Sequence, residues 1–261
     1  MDTRRTDITE SGFSERLHAG AVAWLVLTVS LLLTLAGWMI ANAYVERRAN
    51  DRFDFEVTST VEAIAKRMQE YEQVLRGGVG LFKASTEVSR QEWNEYVSTL
   101  LIDTYWPGIQ GIGYAQMLKP AEIASHEQAI REQGFPDYRV NPAGERDIYS
   151  AIVFLEPFSG RNMRAFGYDM YSNPVRREAM QRAADSGEPA LSGRVTLVQE
   201  TDRDIQAGFL VYLPVYKIGM PLHTIEERRA ALQGFVYSPF RFNDLLEGIH
   251  GKGAPALDYQ I

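Results

Sequence analysis

A long stretch without charged residues near the amino terminus constrains the fold of this chain more than any other feature. From Ala19 to Val45 there is no Asp, Glu, Lys or Arg, and Trp24, Trp38 and Tyr44 lie toward its two ends. A helix of this length spans about 30 Å of hydrocarbon, and aromatic rings favour the membrane interface. The stretch therefore predicts a transmembrane helix at residues 19–45.

A cleaved signal peptide is the alternative interpretation of this stretch. Ala41-Asn42-Ala43 resembles the small-residue pattern at which signal peptides are cut. The apolar core of a signal peptide is about 7–15 residues long, however, and this run is longer, which favours an uncleaved anchor. Orientation stays open, because arginines lie on both sides of the run: Arg4, Arg5, Arg16, Arg47, Arg48 and Arg52.

The charge and the absence of cysteine exclude several classes of function. The formal net charge of −7 argues against a nucleic-acid-binding protein, and a chain without cysteine has neither disulfides nor thiolate metal sites. The histidines are scattered without metal-binding spacing, and no nucleotide-binding loop or catalytic nucleophile motif occurs. We therefore expect no catalytic residues, no metal and no cofactor in this chain.

A helix is predicted to continue beyond the apolar run, through residues 46–76. Apolar residues within it follow heptad spacing: Val57, Val61, Ile64, Met68, Tyr71 and Leu75. This seam over residues 57–75 predicts a stalk that pairs with a second copy of the chain. The alternative is a helix packed on its own domain. Gly77, Gly78 and Gly80 are expected to end or bend the helix.

The rest of the chain mixes helical and strand patterns. Ser89 and Glu92 have capping-box spacing and predict a second helix, and Pro120 begins another that extends to about Gln133. Residues 200–204 are expected to join two strands as a hairpin. Apolar or alternating runs predict strands at 109–118, 135–141, 148–155, 191–199, 207–216, 231–238 and 255–261, and a short helix at 241–249. Helices against one face of such an antiparallel sheet make an α+β domain.

The run FGYDMYSNPVRREAM at residues 166–180 places a carboxylate, Asp169, among aromatic side chains. Asn173-Pro174 then predicts the start of a helix, and Gly187 its end. A carboxylate in an apolar cleft is costly unless hydrogen-bond donors pair with it. The source of those donors decides whether Asp169 is structural or functional.

Two sources of donors remain open for Asp169. Backbone amides, Arg164 or Arg176 could satisfy it within the protein, which would make it a structural acid. A ligand that carries N–H groups is the other possibility. The charged cluster Glu145-Arg146-Asp147 is interpreted as solvated loop charges.

Several runs resemble the CHASE domain family in the family's order, over about residues 75–250. They are PGIQGIGYAQML, IYSAIVFLEPFSGRNMRAFGYDMYSNPVRREAM, SGEPALSGRVTLVQE and GFLVYLPVYK. The family comprises extracytoplasmic sensors of bacterial and plant signalling receptors, including the plant cytokinin receptors. The resemblance therefore implies a ligand-sensing domain whose partners are a small molecule, the membrane and a second copy of the chain.

The resemblance also implies an architecture. A cytoplasmic head at 1–18 precedes the span at 19–45 and the stalk at 46–76. A membrane-distal PAS-like sensor would occupy 77–240, and a truncated membrane-proximal PAS-like subdomain would begin at 241–261. The sensor would lie in the periplasm, anchored in the cell inner membrane, with a second span and a histidine kinase or diguanylate cyclase output expected beyond Ile261.

The ligand-binding residues follow from the resemblance as well. Asp169 corresponds to the aspartate that accepts hydrogen bonds from an adenine-type ring in cytokinin-binding relatives. Ser192 stands where those relatives have threonine, and Val198 where they have leucine. On the strand at 207–216, either Leu210 or Tyr212 is expected to face the ligand. The alternative function is a structural dimerisation ectodomain without a small-molecule ligand.

Overall fold

The computed structural model describes residues 7–200 and 205–250 of the chain, with side chains from residue 20 onward except at residues 103 and 250. The chain divides into two compact units, Met1–Thr60 and Val61–Ile261. The first helix, α1 (Asp7–Ala84), contributes residues to both units. The predicted strand at 255–261 lies outside the described residues.

The first unit contains the apolar part of α1. From Gly20 onward the helix is long and apolar enough, by length and composition, to cross a membrane. Its large apolar side chains, such as Trp24 and Trp38, are exposed in the unit. This part of the structure agrees with the helix that the uncharged run predicts at residues 19–45.

The glycines of α1 do not end the helix, and the sequence prediction is wrong here. The helix continues through Gly77, Gly78 and Gly80 to Ala84. These positions instead allow close packing: a methyl group at Gly77 would lie 2.5 Å from the hydroxyl of Tyr96. Tertiary packing therefore outweighs the low helix propensity of glycine at this point.

We predict opposite effects of alanine at two of these glycines. A methyl group at Gly80 would meet no atom within 4 Å, so Gly80→Ala should gain about 0.5–1 kcal/mol from helix propensity. At Gly78 the methyl group would lie 3.1 Å from Val236 and 3.2 Å from Trp93. Gly78→Ala should therefore lose about 1–3 kcal/mol through overpacking. Chemical denaturation of both variants measures the free energy of unfolding, and equal effects at the two positions would contradict the prediction.

The second unit is an α+β fold built on a five-stranded antiparallel sheet, as the sequence predicts. Its strand order is β2-β1-β5-β4-β3, and every neighbouring pair is antiparallel. The strands are β1 (Ile112–Leu118), β2 (Tyr149–Glu156), β3 (Ala190–Leu191), β4 (Gly208–Tyr216) and β5 (Leu232–Arg241). The helices are α2 (Arg90–Thr99), α3 (Ile102–Tyr105), α4 (Ile123–Glu132), α5 (Pro174–Ser186), α6 (Ile225–Ala231) and α7 (Phe242–His250).

Local capping chemistry sets the ends of two helices as the sequence predicts. The Ser89 hydroxyl accepts a hydrogen bond from the Glu92 amide, and the Glu92 carboxylate accepts one from the Ser89 amide, which closes the capping box of α2. Asn173 caps α5 through its side chain, and Gly187 ends α5 with a φ of 80°. These ends are predictable because each depends on residues within a few positions.

Two of the predicted strands differ in the structure. Residues 135–141 form turns and a single bridge at Asn141 rather than a strand. Residues 191–199 are reduced to the short β3, which does pair with β4, and an isolated bridge from Val195 to Gly208. In both segments the apolar side chains are buried against the domain from a loop. The apolar run is therefore present without a continuous ladder of backbone hydrogen bonds to a neighbouring strand. The predicted strands that became β1, β2, β4 and β5 and the helix that became α7 are confirmed.

The two faces of the sheet bury different layers. One face packs against the end of α1 and against α2, with Trp93 fully buried at its centre. The other face packs against α5 and a short 3-10 helix at Met170–Ser172. In the heptad seam, Tyr71 and Leu75 are buried in the first layer. For these two positions the alternative interpretation, a helix packed on its own domain, is confirmed.

Candidate functional site

The sheet face beneath α5 carries the residues that the sequence singles out on β4. Because side chains alternate along a strand, Leu210 and Tyr212 both point to this face, where they are almost fully buried. From the sequence, one of these two residues is expected to face the ligand. In the structure both side chains lie on the same face of the sheet. On β1, Ala115 lies on the same face, whereas Ile112 and Tyr114 lie on the opposite one.

Asp169 lies at the edge of this face, fully buried beside β2. The loop before it is fixed to β2 because the Ile152 amide donates to the Tyr168 carbonyl at 3.1 Å. Asp169 caps the 3-10 helix that follows, and its Oδ1 accepts hydrogen bonds from the Ser150 amide at 2.8 Å and the Tyr171 amide at 3.0 Å. One oxygen of the carboxylate is therefore engaged by the backbone.

The second oxygen of Asp169 is in a different state. Oδ2 is buried and accepts no hydrogen bond from the described residues, while an Nη1 of Arg146 lies 3.4 Å away as an ion-pair partner. Burial raises the pKa of the carboxyl, and the two amides and the charges of Arg146 and Arg177 act against that rise. A donor brought close to Oδ2 would form a charge-assisted hydrogen bond, which is stronger than a neutral one.

Arg146 is the arginine beside Asp169, and neither of the two arginines suggested by the sequence has this place. Arg164 donates to the Glu200 carbonyl and Arg176 to the Thr196 carbonyl, each at 3.1 Å. The interpretation of residues 145–147 as solvated charges is therefore wrong for Arg146. Its guanidinium also donates to the Pro142 and Gly144 carbonyls, which fixes it in the loop.

Ser192 and Val198 lie at the far edge of the same face. The Ser192 hydroxyl donates to the Gly193 carbonyl at 2.8 Å and accepts from the Leu210 amide at 2.9 Å. The second interaction holds the loop after β3 against β4. Val198 is half-buried and packs against the apolar layer that contains Leu210 and Tyr212. Ser192 therefore has a structural role in addition to any contact with a ligand.

Comparison with known proteins agrees with this architecture. The family model of the CHASE domain matches residues 86–261, which is more than half of the chain. The chain belongs to the CHASE family. CHASE domains are extracytoplasmic sensor domains of signalling receptors, so the resemblance stated from the sequence is confirmed.

Part of this chain is also similar to a curated protein. Hybrid signal transduction histidine kinase A of Dictyostelium discoideum is 29% identical over 146 residues. The match covers 51% of this chain and 7% of the relative. The chain thus spans a small part of the relative's length, and most of the relative has no counterpart in the matched region.

The CHASE fold also buries several polar groups, of which Tyr237 and Ser150 were not singled out in the sequence analysis. The hydroxyl groups of Tyr212 and Tyr237 and the Nε of Arg176 are buried, and none has a hydrogen-bond partner among the described residues. Near Asp169, the hydroxyl of Ser150 is in the same condition. Strand alternation within 231–238 could have identified Tyr237, because it places Phe235 and Tyr237 on the same face of the strand. In the structure this is the face that carries Tyr212. No spacing rule places Arg146 beside Asp169, since the two residues are distant in sequence.

Proposed function

We propose that this chain is the ligand-sensing part of a membrane-anchored signalling receptor, which relays the binding of a small molecule to a cytoplasmic output. Membership of the CHASE family supports the sensor role. The relative's name, a hybrid histidine kinase, supports an output of the histidine kinase class, and a diguanylate cyclase would serve the same role. The apolar part of α1 would cross the membrane, with residues 1–18 in the cytoplasm and the sensor outside, in the periplasm.

One observation carries the ligand-binding part of this proposal, namely the unequal state of the two oxygens of Asp169. Oδ1 accepts two amide hydrogen bonds, whereas Oδ2 is buried without one. The buried acceptor is costly until a donor reaches it. A planar ligand with N–H groups, such as an adenine-type ring, would supply that donor and would fit a PAS-like sheet face. Ser192, Val198, Leu210 and Tyr212 would line the rest of the site.

The same carboxylate provides the observation that favours the alternative, a structural ectodomain without a ligand. Two amides and the nearby Arg146 already offset part of the cost of its charge. In that case Asp169 would serve to fix the 3-10 helix at Met170–Ser172 on β2. The two functions differ in whether any N–H donor ligand binds at Asp169.

A binding screen separates the two functions. The 261-residue chain in lipid nanodiscs is titrated calorimetrically with adenine and N6-substituted adenines. 6-Dimethylamino-9-methylpurine is the matched control, because it keeps the purine ring and carries no N–H group. We expect the amino purines to bind at least about tenfold more tightly, a difference of roughly 1.4 kcal/mol. If no N–H donor binds and none raises the melting temperature, the structural alternative is favoured.

We also propose that the receptor is a homodimer through the heptad seam at 57–75. Because Tyr71 and Leu75 are buried in the chain's own core, the seam available to a second copy is shorter than the sequence suggests. Val61 is 59% exposed on it. Pairing of these helices would let a change in the sensor alter how two spans pass through the membrane.

A charge introduced into the exposed part of the seam tests the dimer. Val61→Glu would place like charges opposite each other at an apolar position and should weaken dimerisation by about tenfold or more. Glu62→Gln, at the adjacent exposed position, is the control and should leave the dissociation constant unchanged. Sedimentation equilibrium in matched-density detergent measures both. Identical dissociation constants for the two variants would rule out the seam as the interface.

A further inference from the structure

A buried guanidinium without a carboxylate partner distinguishes the sheet face beneath α5. Arg176 is 2% exposed, and no carboxylate forms an ion pair with it in the part of the chain that the structure describes. Its Nη2 donates to the Thr196 carbonyl, its Nε has no partner, and its guanidinium carbon lies 5.1 Å from the centre of the Tyr168 ring. Buried charges in proteins are otherwise paired or coordinated, because a single buried charge is costly.

Two buried hydroxyl groups lie in the same layer. Tyr212 on β4 and Tyr237 on β5 are direct cross-strand partners, and their ring centres are 6.2 Å apart. Both residues are fully buried, and both hydroxyls are without a hydrogen-bond partner among the described residues. Burial raises the pKa of both tyrosines, and the charge of Arg176 acts against the rise in each case. The guanidinium lies over the Tyr168 ring, and Tyr168 packs against the layer that contains both tyrosines.

Each of these unpaired groups can donate a hydrogen bond, and a tyrosine hydroxyl can also accept one. An arginine Nε–H can only donate, and each tyrosine hydroxyl has a hydrogen atom to donate. Three donors around one positive charge require an acceptor with several lone pairs and a negative charge. A carboxylate has two oxygens and about four lone-pair sites, and its single charge matches the single arginine.

We infer that the layer around Arg176, Tyr212 and Tyr237 is a binding site for the carboxylate group of a small ligand. This inference rests on the proposed sensor function and adds the chemical class of the ligand. Asp169, at the edge of the same sheet face, would accept hydrogen bonds from N–H groups in another part of that ligand. The ligand class is therefore a small organic acid that can also carry an N–H donor.

Matched pairs of acids and amides test the inference on the full chain in lipid nanodiscs. Acetate, propionate and benzoate are compared with acetamide, propionamide and benzamide at constant ionic strength, by thermal unfolding and calorimetry. We expect at least one carboxylate to raise the melting temperature where its amide does not. Arg176→Gln should weaken its binding about thirtyfold or more, and Tyr212→Phe or Tyr237→Phe about tenfold each. Arg139→Gln, at an exposed position in the loop before β2, is the control and should bind as wild type does.

Stability without a carboxylate gives a second measurement that a purely structural role would not produce. Removing a buried hydroxyl that has no partner is neutral or stabilising, whereas removing a bonded one is destabilising. Tyr212→Phe should therefore melt at the same or a higher temperature than wild type while it loses carboxylate binding. A lower melting temperature with unchanged carboxylate binding would overturn the inference, as would equal shifts from acids and amides. If carboxylates fail while an amino purine binds through Asp169, this inference falls and the sensor function stands. If neither class binds, both fall.

Discussion

Trp93→Ala is expected to cost about 3–5 kcal/mol in the free energy of unfolding, because it leaves a large cavity at the centre of a core layer. Trp93 is fully buried between α1, α2 and the sheet. Its ring lies 5.8 Å from Phe82, 5.8 Å from Tyr96 and 5.9 Å from Phe154, measured between ring centres. Its Nε1 donates to the Ile112 carbonyl at 3.4 Å. Denaturant unfolding followed by circular dichroism measures the loss.

The burial of Trp93 makes this loss larger than that of an exposed aromatic residue. Trp93→Phe keeps part of the packing and should give an intermediate value. Tyr105→Ala is the control, because Tyr105 is 61% exposed and its removal should change stability by no more than about 0.5 kcal/mol. Similar losses at Trp93 and Tyr105 would show that α2 is not held on the domain through this ring.

The elements that sequence reasoning predicts well are those whose ends depend on nearby residues. Asn173 and Pro174 begin α5, Gly187 ends it, and Ser89 with Glu92 closes the start of α2. Each of these signals acts within one turn of helix. The strand β4 was also predictable, since a long apolar run between turn residues has few other interpretations.

The errors have a common physical origin, since in each a distant residue decides the local structure. Gly77 and Gly78 remain helical because Tyr96, Trp93 and Val236 pack against them. The segment 135–141 is a loop because Phe135 packs against Phe158 and Phe166 instead of joining a ladder. No pattern within these segments carries that information.

The candidate site shows the same division between local and distant information. Asp169 could be recognised from the sequence, because a carboxylate among aromatic residues needs an explanation. The Tyr171 amide that binds its Oδ1 is local, whereas the Ser150 amide and Arg146 reach it from β2 and the loop before β2. Likewise, strand alternation gives the face of Tyr212, but only the sheet register places Tyr237 beside it. The sequence could therefore predict single site residues and not the group that they form.

Asp169→Asn is expected to weaken the binding of an N–H donor ligand by about 10–150-fold, since a hydrogen bond to a charged group contributes about 1.5–3 kcal/mol. Asparagine keeps the shape of the side chain and can still accept from the amides of Ser150 and Tyr171. The fold should therefore survive the substitution, which circular dichroism can check. Asp147→Asn is the control, because Asp147 is an exposed acid on the loop that carries Arg146. Calorimetry with the tightest amino purine of the screen measures both variants.

The pH dependence of ligand affinity shows whether the ligand binds the ionised or the protonated form of Asp169. Burial raises the pKa of its carboxyl in the free protein, against the effect of the Ser150 and Tyr171 amides and the charges of Arg146 and Arg177. Since an exposed aspartate has a pKa of about 3.9, the contribution of Asp169 to stability falls as the pH rises from that value through the raised folded-state pKa. An N–H donor favours the ionised form, so its affinity should increase as the pH rises through the same window. The increase should be absent in Asp169→Asn when both proteins are titrated from about pH 4 to about pH 7. A wild-type affinity that stays constant or falls over this range would mean that the ligand does not donate to Asp169.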